Sequence, residues 1–74
     1  MSPQLPVISG QDAVKALTKA GFRLRRQTGS HLILSRENPT LHVTVPNHRV
    51  LDRGTLRSII RQAGLSVEEF NALL

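Results

Sequence analysis

The sequence predicts an α+β fold in the order αβββα, with a short extra helix at the C-terminus. Three observations predict it. Apolar residues recur with helical spacing near both ends of the chain, alternate with polar ones in the middle, and are separated there by turn signals only a few residues long. Helices flanking a run of strands suggest one antiparallel sheet covered on one face, with the other face open to water or a ligand.

The first helix is expected over Gln11 to Ala20. Ser9 precedes it as N-cap with Asp12 three residues on, a variant of the capping box. Ala13, Ala16, Leu17 and Ala20 form one apolar stripe that Val14 widens, and Lys15 and Lys19 lie off it. Gly21 can stop the helix in a left-handed conformation. Phe22 to Gln27 is the first strand, its alternation pointing Phe22 and Leu24 one way and Arg23 and Arg25 the other. Thr28-Gly29 reads as a hairpin turn and Ser30 to Arg36 as the second strand. After the Glu37-Asn38-Pro39-Thr40 turn, Leu41 to Val45 forms the third strand, with Leu41, Val43 and Val45 inward and His42 and Thr44 outward. Pro46 ends it. Asp52 caps a second helix starting near Arg53, whose apolar stripe is Leu56, Ile59, Ile60 and Ala63 and which Gly64 closes. Ser66 and Glu69 make a capping box for a last helix reaching Leu74, docked by Phe70, Leu73 and Leu74.

Seventy-four residues make one domain, expected to span the whole chain. Such a chain buries roughly 60% of its unfolded surface and reaches a net stability of about 3–5 kcal/mol. A deep active site is beyond its means, so any chemistry belongs on a shallow surface. There are no cysteines, which excludes disulfides and thiolate metal sites and fits a reducing cytoplasm. Met1 to Gly10 lacks the pattern of a signal peptide, and the longest apolar runs, such as Leu32-Ile33-Leu34, are too short to span a membrane.

Ten Lys and Arg oppose five Asp and Glu, and the pI is about 11.5. Eight of the ten are arginines, whose planar donor fork suits phosphate. Nucleic acid is the first partner such a charge suggests, the alternative being a solvated basic surface. With Phe22 and Phe70 the only aromatics, a bound RNA would be held through phosphates and 2′-hydroxyls more than through base faces.

Three histidines are present, His31, His42 and His48, and none has metal-ligand spacing; neither a metal nor a small-molecule cofactor is expected. Histidine is the natural proton-transfer group near neutral pH. RNA cleavage needs little more, because the ribose 2′-hydroxyl already lies beside the phosphorus it attacks. One imidazole to move a proton and nearby guanidiniums to hold phosphoryl charge provide much of what is needed, which makes a metal-free ribonuclease on a flat face feasible. His31 is best placed: with Leu32 and Leu34 inward, His31 and Ile33 stand on the open face, joined by His42, Arg23 and Arg25. The alternative is a polar surface residue placed there by chance. Gly29 is a turn residue that tolerates positive φ, and its bare backbone also lets RNA approach. Arg49, Arg53, Arg57 and Arg61 recur every four residues, the last three lining one side of the second helix; they form a solvated face, or a contact for RNA or for an acidic protein. Gly54-Thr55 near the helix start is a weak anion-binding signal.

Gly21-Phe22, Gly29-Ser30-His31, Val43-Thr44-Val45-Pro46 with His48, Gly54-Thr55-Leu56-Arg57-Ser58-Ile59, Gln62-Ala63-Gly64-Leu65 and Glu68-Glu69-Phe70 together resemble the HicA toxin family. Each piece is common; their order and spacing are specific, and they run from about Asp12 to the C-terminus. The resemblance implies a fold like the double-stranded-RNA-binding domain, metal-free endoribonucleolytic cleavage of mRNA, and a HicB-like antitoxin that covers the active surface. It implies that His31, the histidine of the Gly-Ser-His motif, is catalytic, and that the loop histidine is His48. Arg23, Arg25, Arg26, Gly29, Ser30 and His48 are the expected RNA contacts, Arg26 being the one whose face alternation leaves open. Many members carry an aromatic or second basic residue shortly after the motif histidine, where this chain reads Leu32-Ile33-Leu34. Two other readings stand beside this one: an RNA-binding module of the same fold without catalysis, and an inactive relative that only binds an antitoxin.

Overall fold

A computed structural model describes residues 4–74; the first three residues of the Met1–Gly10 segment lie outside it. The element order is α1 (Gly10–Lys19), β1 (Arg23–Thr28), β2 (His31–Arg36), β3 (Leu41–Pro46), α2 (Arg53–Gln62) and α3 (Val67–Asn71). The strands form one antiparallel sheet in the order β1-β2-β3. The expected αβββα arrangement with a trailing helix is therefore the observed one, with ends displaced by one to three residues where helices fray into caps.

Each helix begins where a side-chain oxygen meets its free N–H groups. Ser9 Oγ accepts from the Asp12 N–H at 3.0 Å while the Asp12 carboxylate accepts from the Ser9 N–H. Ser66 and Glu69 repeat this reciprocal pairing at α3, and the Asp52 carboxylate accepts from the Thr55 N–H at 2.7 Å at α2. Gly10 sits at close quarters: its N–H donates to the His48 carbonyl at 2.9 Å, and a Cβ there would overlap the Pro46 carbonyl oxygen. Only glycine lets the start of α1 press against the loop that leaves β3.

The core lies between the helices and one face of the sheet. Ala13, Ala16 and Leu17 of α1, Leu56, Ile59 and Ile60 of α2 and Phe70 of α3 pack with Phe22, Leu32, Leu34, Val43 and Val45. Full burial of each large side chain contributes about 1.5–3 kcal/mol. The molecule measures 17 Å along its shortest axis, the depth of one sheet and one layer of helices. Gln62 of α2 also accepts a hydrogen bond from the Thr44 N–H at 3.2 Å, which occupies a donor on the outer edge of β3.

Two expectations are corrected. Leu24 is 51% exposed rather than packed inward with Phe22. It faces the helical side, opposite Leu34, but β1 is an edge strand whose every residue is exposed. Leu74 is 49% exposed, because α3 ends at Asn71 and only Phe70, with Leu73 partly, reaches the core.

Candidate functional site

Residues directly opposite each other in an antiparallel ladder share a face. Leu34 and Val43 form one such pair and Leu32 and Val45 another, all four buried toward the helices. The intervening pairs, His31 with Pro46, Ile33 with Thr44 and Ser35 with His42, therefore stand on the other face. His31, His42 and Thr44 are exposed there. His31 is thus on the uncovered face, at the first position of β2.

The hairpin before it is tight. Thr28 pairs with His31, leaving Gly29 and Ser30 as a two-residue turn. Gly29 has φ 57°, the positive value that a type II′ turn requires at its first central position. Nothing lies within 4 Å of where a Gly29 Cβ would project, so conformation, and no crowding inside the protein, demands glycine here. The Gln27 side-chain amide donates to the Gly29 carbonyl at 3.1 Å, and the Asn47 N–H donates to the Ser30 carbonyl at 2.6 Å. The β3–α2 loop thereby buttresses the turn that carries His31, and Gln11 of α1 holds the Asn47 side chain at 3.0 Å in turn.

On β1 the register slips by one residue between Leu24 and Arg26. Arg23 pairs with Ser35 before this β-bulge, and Arg26 pairs with Ile33 after it. Unbroken alternation would have placed Arg26 opposite Leu32 on the helical side. The bulge brings it to the His31 face instead, and keeps Arg25 there as well: the Arg25 Nε donates to Ser35 Oγ at 2.7 Å. All three guanidiniums of β1 share the face with His31. Arg26 is its diagonal neighbour, at the about 7–8 Å backbone spacing that a long side chain can bridge.

The two sheet imidazoles do not converge. His42 pairs with Ser35, four residues along β2 from His31, or about 13 Å of strand. His48 lies at the His31 end, two residues beyond Pro46, and is exposed. Its carbonyl is held by Gly10, and its imidazole is close enough to influence Asp52. The Asp52 carboxyl is held below its ordinary value mainly by the Thr55 backbone and hydroxyl hydrogen bonds; partial desolvation opposes them, while the Gly54 N–H and His48 add to them. Of the arginine series, Arg49 is in the loop, and Arg53, Arg57 and Arg61 lie on the solvent side of α2, in the helical layer rather than on the sheet's open face. Among the described residues no three His, Cys, Asp or Glu side chains cluster as metal ligands do, and no helix is long and apolar enough to cross a membrane.

Sequence reasoning missed Ser35 and Arg36. Ser35 is 7% exposed despite its place on the outer face, lying under Arg25. Arg36 is held on the other side, donating to the Ala20 carbonyl at 3.1 Å with its guanidinium 5.8 Å from the centre of the Phe22 ring. A serine closing the apolar run Leu32-Ile33-Leu34 was the available signal for the first.

The family model described as HicA toxin of bacterial toxin-antitoxin matches residues 10–65, from the first residue of α1 to just past α2. No curated protein matches the chain.

Proposed function

Given that the chain belongs to the HicA toxin family of bacterial toxin–antitoxin systems, we propose that it is an endoribonuclease that cleaves mRNA on the open face of its sheet without a metal, with His31 as the catalytic residue. The observation that carries this reading is the union on one uncovered face of the His31 ring and the Arg26, Arg25 and Arg23 guanidiniums. In the reaction the ribose 2′-oxygen attacks the adjacent phosphorus and the bond to the 5′-oxygen breaks. His31 acts as general base, taking the 2′-hydroxyl proton, or as general acid, giving a proton to the leaving 5′-oxygen. Arg26 stabilises the charge that develops on the phosphoryl oxygens, and Arg23 and Arg25 hold phosphates farther along the RNA chain. Gly29 and Ser30 offer a low, uncrowded edge beside His31 for the RNA backbone, and His48 is positioned to meet RNA that runs past the turn. The products are a 2′,3′-cyclic phosphate and a 5′-hydroxyl. The proposed protein partner is a HicB-like antitoxin that covers this face, and the setting is the cytoplasm, where mRNA is found.

A substrate carrying a single 2′-deoxy nucleotide at the cleaved position tests the chemistry. In EDTA the all-ribose RNA should be cut and yield a cyclic phosphate end, while the substituted RNA stays intact at that position. Cleavage of both substrates, or products ending in a 5′-phosphate, would exclude attack by the 2′-oxygen.

A further inference from the structure

At the end of the sheet remote from His31 is a depression of about 300 Å³ lined by Gly21, Arg23, Arg25, Ser35, Arg36 and Glu37. Three guanidiniums share this small space with one carboxylate, and the Glu37 carboxylate is turned to the Thr40 hydroxyl at 3.3 Å. Crowding like charges is costly unless an anion offsets them. Two of the three are also held in place. Arg25 is fixed through its Nε to the buried Ser35 hydroxyl, and Arg36 is clamped between the Ala20 carbonyl and the Phe22 ring. Positioned guanidiniums lose little freedom when they grip a phosphate. Arg25, bonded to Ser35 only through its Nε, keeps its two terminal nitrogens for a two-pronged grip, while Arg36, its Nε buried and its Nη1 on the Ala20 carbonyl, adds charge and its remaining N–H groups.

Resting on the ribonuclease reading, we propose that this depression is a phosphate subsite for the RNA chain, several nucleotides from the bond that is cut. Arg26, Arg25 and Arg23 follow one another along β1 from the His31 end to the depression. They trace a path for a backbone lying along the strand, and Ser35 marks its far end about 13 Å of strand from His31. The line of arginines that leads from His31 into the depression favours a phosphate of the same RNA chain over a lone acidic side chain of a protein. Arg36 reaches the depression from the helical side, around the end of the sheet. Chemistry and anchoring are thus at opposite ends of the sheet, and RNA too short to reach both is held by only one.

The test is binding of single-stranded RNA of stepwise increasing length, measured by fluorescence anisotropy with His31→Ala protein so that no substrate is consumed. Affinity should rise in a step at the length that reaches the depression. Arg23→Ala should remove that step, about a tenfold loss for long RNA with little change for short. It should also lower the salt slope by about 0.7 for each phosphate no longer neutralised. Arg36→Lys, which keeps the charge and removes the guanidinium N–H groups, is the second variant and should shrink the same step. A smooth rise with length, equal losses at all lengths, or variants that lose binding only to a polyaspartate peptide would each overturn the subsite. The subsite and the catalytic reading fail separately. Protein with the step that cuts nothing would retain the subsite and sink the nuclease; protein that cuts without the step would do the reverse.

Discussion

At the scale of single residues the site turns on the pair His31 and Arg26. The first was legible from alternation, since Leu32 and Leu34 could only be buried together if His31 was not. The second was not legible. Arg25 and Arg26 are both basic and both on an exposed edge strand, so no hydrophobic residue marks where the register slips. Bulges re-aim side chains at such edges, and here the extra residue places a third guanidinium on the open face with His31. Arg26→Ala should therefore lower kcat on the order of a hundredfold, the cost of removing one donor to developing charge. It should change KM for a short RNA less than kcat. A decrease confined to KM effects would make Arg26 a binding residue and leave the transition state without its nearest guanidinium.

At the scale of elements, caps and stripes were legible because each is local. Ser9 with Asp12 and Ser66 with Glu69 form the reciprocal bonds their spacing announces. What spacing could not announce is how the elements lean on one another: the meeting of Gly10 with the Pro46–His48 segment, or the Asn47 bond to the turn before His31. The cap of α2 carries a pH prediction. Asp52 is held below its ordinary value by its bonds to Thr55. A depressed carboxyl contributes stability fully above its unfolded value and loses it as pH falls through the folded one. Thermal midpoints of wild type and Asp52→Asn should differ near neutral pH and converge in acid, below the ordinary carboxylate range. A difference that stayed constant down the acid series would show that the Asp52 charge does not matter to the cap.

At the scale of the whole molecule, the αβββα order and the open sheet were written in periodicity and short turns, and the basic balance announced an anionic partner. The distribution of that charge was not written there. Four of the five carboxylates are occupied by caps and turns, which leaves the arginines of β1 free to define the open face, while those of α2 project from the helical layer. A molecule one sheet and one helical layer deep presents a broad face on which a polymer can lie. Central to the proposed function is an imidazole on that face that moves the proton in RNA cleavage. The most direct measurement is the rate of RNA cleavage in EDTA by wild type and by His31→Ala. The predicted result is robust cleavage by the wild type and a fall of at least about a hundredfold in the variant. Equal rates, or a wild type silenced by EDTA, would contradict it.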